Sequence, residues 1–214
     1  MLTNQDLFLN RIRMDGTQCR VRTVLQFIAT YASMYANGEY LPPPVIFVDK
    51  DGNHWIGDGW HRILAALRNN MKKLKCQIRP GTRDDAVMYN IKANRDHSGI
   101  PMSKDDREHS IKILLTKCKK TKNWTDTAIA NMVGVSRVYV ALVRKQLEDN
   151  GVKFSDKRVD PETGKTYDTA NGHRGAKSRE QNRNERLRRG EYDIYICTHC
   201  QGKGYVKKLR KNRA

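Results

Sequence analysis

The residues best suited to chemistry stand at positions 57 to 62: Gly57, Asp58, Gly59, Trp60, His61 and Arg62. The glycines follow a short apolar run and precede Ile63, Leu64 and Leu67, which recur at helical spacing. A strand that breaks at glycines and opens a helix turns its first backbone N–H groups outward. With the positive end of the helix dipole, those groups make an anion site. His61 and Arg62 add donors suited to phosphate. Were the turn catalytic, Asp58, His61 and Arg62 would be the groups to carry it. A two-metal nuclease or phosphotransferase site wants several carboxylates, however, and Asp58 is the only one adjacent. The same glycines also suit a plain tight turn, and His61 suits a satisfied core position.

A second constellation lies near the C-terminus, Cys197-Thr198-His199-Cys200-Gln201-Gly202-Lys203-Gly204. Cys197 and Cys200 have the spacing that grips one side of a tetrahedral zinc ion, and the spacing resembles one half of a DnaJ-type zinc knuckle. No second pair follows, so the site is incomplete unless His173, Cys19 or a second subunit joins it. Two free thiols and a redox pair are the rival readings.

These residues need elements to position them. Pro44 to Val48 and His54 to Ile56 read as strands around a turn at Asp49 to Gly52, and the helix after Gly59 ends at Asn69-Asn70. Leu7-Phe8-Leu9 and Cys19-Arg20-Val21 read as short strands. Thr23 reads as the N-cap of a helix whose apolar face is Val24, Phe27, Ile28, Tyr31, Met34 and Tyr35. Leu74 to Ile78 alternates as a strand, with Cys76 on its buried side. Thr82 and Asp85 form a capping box for a helix carrying Val87, Ile91 and Asn94 on one stripe. Ser103 caps the next helix, which is expected to run to about Lys119 with Ile111, Leu114 and Leu115 inward. From Thr125, the residues Ile129, Ala130, Val133, Gly134, Val135, Val140 and Val143 match a helix-turn-helix. Its second helix presents Ser136, Arg137, Tyr139, Ala141 and Lys145. Arg137 suits a guanine edge, Ser136 or Tyr139 a phosphate, and Arg144 and Lys145 backbone charge.

The Gly57 to Ala66 box resembles the signature of the ParB/sulfiredoxin-like superfamily, and the likeness continues through Ala93 to Pro101 into the helix-turn-helix. The resemblance implies an α+β chain: a ParB/sulfiredoxin-like α/β domain over 1–100 and an all-α helix-turn-helix domain over 101–150. A basic tail with a hairpin and the cysteine knuckle follows over 151–214. It implies a DNA-binding regulator or partition-type factor acting on double-stranded DNA, as a homodimer. Gly57, Asp58, Gly59, His61, Arg62 and Asn94 would hold a nucleotide, CTP or ATP, with magnesium. Ala93 stands where the family carries a metal-binding carboxylate, which argues against nucleotide hydrolysis. Sulfiredoxin chemistry needs a thiol beside the His-Arg pair, and Trp60 stands there instead. An enzyme using the box, a nuclease or a nucleotide-dependent phosphotransferase, is the weaker alternative.

Composition points the same way. In 214 residues, 41 Lys and Arg oppose 23 Asp and Glu for a formal charge of +18, a surplus whose default partner is nucleic acid rather than an anionic membrane. Residues 151–214 hold 17 Lys or Arg and 8 acidic residues. Within them, Lys157 to Tyr167 reads as a hairpin around Pro161-Glu162-Thr163-Gly164, and 170–191 is arginine-rich without a core pattern. No apolar run approaches the roughly 20 residues that span a bilayer. The N-terminus has neither the basic start nor the apolar block of a signal peptide, and five scattered cysteines suit a reducing compartment. A soluble cytoplasmic protein is expected.

Overall fold

The computed structural model describes residues 3–96, 101–169, 192–195 and 205–208. Five strands form one mixed sheet: β1 (Thr3–Phe8), β2 (Ile12–Arg13), β3 (Val45–Val48), β4 (His54–Asp58) and β5 (Lys73–Pro80), in the order β1-β5-β3-β4-β2. β1 and β5, like β3 and β4, run antiparallel, whereas β3 with β5 and β2 with β4 run parallel. Three helices flank the sheet: α1 (Leu25–Ala36), α2 (Trp60–Arg68) and α3 (Arg83–Asp96).

Alternation along the strands sorts the layers. β3 and β4 pair Ile46 with Ile56 and Phe47 with Trp55. Ile46 and Ile56 pack with Ile63 and Ala66 of α2, whereas Val45, Phe47 and Trp55 pack with Ala86 of α3. Cys76 is buried on the Ile46 side as expected, and burial pushes its thiol up to about 12. α1 closes over α2 through Ile28, Ala32 and Ala65. Gly57 lies inside β4, on the α3 side. A Cβ there would stand 2.6 Å from Phe47 Cε2 and 3.2 Å from Tyr89 Cδ1. The glycine lets α3 approach the sheet closely, so it serves packing.

Three further helices follow: α4 (Lys104–Thr116), α5 (Asp126–Val133) and α6 (Arg137–Asp149). Each starts at a side-chain cap, Ser103, Thr125 or Ser136, and Ser103 and Asp106 form a reciprocal capping box. Gly134 ends α5 in the left-handed conformation, and the axes of α5 and α6 turn through 112°. Ile129, Ala130, Val133, Val140 and Val143 are buried where these helices meet α4. Their core also takes in Val87 and Ile91 of α3. The described residues up to 155, with 159–165, accordingly form one compact unit, and the described residues of 156–158 and from 166 onward form a second. β6 (Lys157–Val159) and β7 (Thr166–Asp168) pair across the turn read at Pro161 to Gly164. β8 (Tyr192–Tyr195) and β9 (Tyr205–Lys208) pair antiparallel.

Four expectations need correction. Cys19 to Val21 is a loop rather than a strand; its amides are satisfied by side chains, Cys19 N–H by Asn90 Oδ1 at 3.2 Å and Val21 N–H by Asp106 Oδ1 at 2.8 Å. Val24, rather than Thr23, holds the N-cap position of α1 and no side chain caps it. α4 stops at Thr116, because Cys118 N–H turns back to Ile113 O. Leu67 of α2 is exposed, and Ala65 and Ala66 carry the packing instead. Cys197, Cys200, His173 and the arginine-rich stretch 170–191 lie outside the described residues. Among the described residues no single helix is long and apolar enough to cross a membrane.

Candidate functional site

A cavity of about 420 Å³ opens at the N-terminus of α2, a volume typical of small-ligand sites. Its walls come from the β4–α2 turn (Asp58 to Arg62), the 18–20 loop, Tyr31 of α1, the Leu41-Pro42 segment, and Asn90 and Asn94 of α3. Gly59 forms the N-cap with φ +97°, a left-handed conformation that disfavours any side chain; a Cβ there would also stand 2.8 Å from Pro44 Cβ. No side chain caps α2. The amides of Trp60, His61 and Arg62 precede the first intrahelical bond, Ile63 N–H to Gly59 O at 3.0 Å. They are the outward-facing donors that an anion would meet.

The charged side chains are partly engaged with one another. Asp58 Oδ1 accepts from Gly59 N–H at 2.7 Å and its Oδ2 from Arg62 Nη2 at 2.8 Å; Arg62 Nη1 also donates to Pro42 O. Arg20 donates to Asn94 Oδ1 at 2.9 and 3.1 Å and pairs with Asp106 at 3.7 Å. Each guanidinium is thus matched by a carboxylate, although of the two carboxylates Asp58 alone lines the cavity among the described residues. The sequence reading missed Arg20 and Asn90, because both enter through partners more than 70 positions away. It also missed Cys19 as a wall residue, but burial pushes that thiol up to about 12. A thiol held protonated is a poor nucleophile.

His61 Nε2 accepts from Val24 N–H at 3.1 Å, so the neutral ring carries its proton on Nδ1. Burial, and then the charge of Arg20, hold its pKa below the ordinary value. The sign follows: a histidine depressed on folding stabilises fully above its unfolded value, about 6.5, and that contribution is lost as pH falls through the lower folded value. His109 is shifted the same way, by burial first and then by Lys117. His61→Gln keeps an acceptor for Val24 and does not titrate. Urea melts at pH 7.5 and 5.0 are therefore expected to show a smaller acid loss in the variant, with His109 supplying part of the remainder. Equal losses in both proteins would show that His61 is not a source of the slope.

The donors suit phosphate oxygens and do not suit a magnesium ion. Among the described residues Asp58 is the only carboxylate on the wall, and both its oxygens accept hydrogen bonds. Asn90 Oδ1 accepts from Cys19 and Asn94 Oδ1 from Arg20, while Ala93 is buried. Among the described residues no cluster of three or more His, Cys, Asp or Glu is poised to hold a metal. Gly57 stands apart from the cavity: its carbonyl accepts from Asn90 Nδ2 at 3.1 Å.

The second candidate surface is α6. Ser136, Arg137, Ala141 and Lys145 are exposed as expected, and the Ser136 hydroxyl is engaged as the cap of Tyr139 N–H. Two residues differ from expectation. Arg144 is 2% exposed; its Nε donates to Asp126 Oδ1 at 2.8 Å, its Nη2 to Trp124 O at 3.1 Å, and it lies 4.8 Å from the Phe154 ring centroid. It braces α6 from inside and does not face a nucleic acid backbone. Tyr139 is half-buried, with its hydroxyl donating to Glu108 Oε2 at 3.1 Å. Val138 and Leu142, absent from the sequence reading, are 73% and 51% exposed on this face.

No protein-family description matches the chain, and no curated protein matches it. Among solved structures it is similar to the C-terminally truncated chromosome-partitioning protein ParB from Caulobacter crescentus complexed to the centromeric parS site, at 20% identity over 67% of this chain and 71% of that one, with a TM-score of 0.44. It is similar to the same protein complexed with CTP-gamma-S, at 20% identity over 68% and 79%, with a TM-score of 0.39. It is also similar to a Pnob8-like ParB-N domain, at 12% identity over 78% and 58%, with a TM-score of 0.40. The likenesses reported are thus all to ParB-type structures, at low identity.

Proposed function

We propose that this protein binds double-stranded DNA through α6, as a partition-type or regulatory factor, and that the α2 cavity takes the phosphates of a nucleotide. The observation that carries the DNA reading is the exposed face of α6. Arg137 and Lys145 stand outward on the second helix of a pair turned through 112°, the geometry in which a helix-turn-helix lays its second helix into the major groove. A chain charge of +18 favours the same partner. Binding as a homodimer would place two such helices on successive half-sites. The basic tail residues would add charge, and Cys197 and Cys200, with two further ligands, would make a zinc site.

Affinity for duplex DNA is expected to fall steeply with salt. Lys145→Ala should lower the slope of log K against log salt by about 1, uniformly across sequences. Arg137→Ala should instead cost about 1–3 kcal/mol of preference between a selected duplex and a scrambled one. Fluorescence anisotropy over a salt series separates the two. Slopes and preferences unchanged in both variants would end the assignment of α6.

For the cavity, calorimetry with CTP, ATP and inorganic phosphate is expected to show binding that persists in EDTA, since the wall offers phosphate donors and no magnesium ligands. No heat with any of the three would remove the phosphate reading while leaving α6 untouched, and an absolute magnesium requirement would overturn its independence of the metal.

A further inference from the structure

The outward face of α6 is more than a basic surface. Val138 and Leu142 lie one turn apart at 73% and 51% exposure, with exposed Ala141 between them. Arg137 precedes this stripe and Lys145 follows it. The packing of the helix is already complete without these residues, since Val140 and Val143 are buried on the opposite side. An apolar stripe left open at the front of a helix still has to be reconciled with water.

Three side chains are too few for a stable protein contact, which buries about 800 Å² on each partner. They match instead the apolar groups that a major groove offers, the C5-methyl groups of thymine, which lie on its floor between two walls of phosphate. Charge agrees with that occupant: Arg137 and Lys145 bracket the stripe along the helix, in a chain carrying +18.

We infer that Val138, Ala141 and Leu142 read thymine methyl groups, so that the duplex this protein prefers contains thymines facing the first half of α6. The inference rests on the DNA-binding reading above and goes further by naming the chemical group recognised. Hydrogen-bonding side chains at these positions would read base edges; aliphatic ones can only distinguish a methyl from its absence.

The test uses the full chain. A duplex is first selected from a randomised pool, and its thymines are then replaced one at a time by deoxyuridine, which removes the methyl and keeps every hydrogen-bonding group. Anisotropy at fixed salt is expected to show about a fourfold weakening at each contacted position, the worth of one buried methyl. Leu142→Ala and Val138→Ala should weaken binding to the thymine duplex and lose the deoxyuridine penalty at the position that each side chain contacts. Both residues are exposed, so melting temperatures should stay within a degree or two of the parent.

Equal affinity for thymine and deoxyuridine at every position would overturn the inference and leave DNA binding intact. So would variants that keep the whole penalty. A change of oligomeric state in the two variants, without any such penalty, would assign the stripe to a second copy of the chain. Failure to select any duplex would remove the DNA reading itself.

Discussion

Arg144→Ala is expected to destabilise the protein by about 3–5 kcal/mol, the range for removing one partner of a buried ion pair. The side chains of Arg144 and Asp126 are 3% and 12% exposed and meet at 2.8 Å. Removing the guanidinium leaves the Asp126 carboxylate, the Trp124 carbonyl and the Phe154 ring without it. Lys145→Ala, one position along, should leave stability within about 0.5 kcal/mol, as for an ordinary surface substitution. Urea denaturation of the two variants therefore distinguishes a brace from a surface charge. Arg144→Met with Asp126→Leu should recover part of the loss, because apolar side chains then fill the space of the ion pair and no charge is buried there. If Arg144→Ala unfolded like Lys145→Ala, the buried placement of Arg144 would be wrong.

Asn90→Ala is expected to cost about 2–6 kcal/mol, since it leaves two buried backbone groups without their partner at about 1–3 kcal/mol each. Asn90 is 2% exposed. Its Oδ1 accepts from Cys19 N–H at 3.2 Å and its Nδ2 donates to Gly57 O at 3.1 Å, so one amide ties the 18–20 loop to strand β4. The loop carries Arg20 onto the cavity wall. Phosphate binding should therefore weaken together with stability. Asn90→Asp keeps the acceptor and loses the donor, and is expected to fall between. Hydrogen exchange at Cys19 reads the same tie locally: protection there should drop in Asn90→Ala and persist in Asn90→Asp.

What was legible in the sequence was local. Ser103 as a cap, Thr82 with Asp85, and Gly134 each act within a few residues, and the structure places all of them as read. The alternation in Leu74 to Ile78 and the run Val45 to Val48 carry their strands in their own side chains. β1 is different: four of its first residues are exposed, and it is held by its backbone ladder to β5, from Thr3 opposite Ile78 to Phe8 opposite Lys73. Nothing in Thr3-Asn4-Gln5-Asp6 announces such an edge strand. The same holds for the candidate site. Gly59, His61 and Arg62 were readable as a turn opening a helix, but Arg20 and Asn90 reach it through long-range pairings. Arg144 was misplaced because a helical wheel assigns a charge outward by default, and the carboxylate that draws it inward lies 18 positions earlier.

Val87 and Ile91 belong to the helix that covers the sheet, yet they are buried in one core with Ile129, Val133 and Val140. Helices α4 to α6 therefore share one core with α3 and have no seam at which they can be cut from it. A chimera that transplanted α4 to α6 onto another scaffold would carry a raw hydrophobic wound where α3 had been, and a cut before α3 would strip the sheet of the face that Ala86 and Tyr89 cover, so the sheet and the helices after it exchange only as one piece.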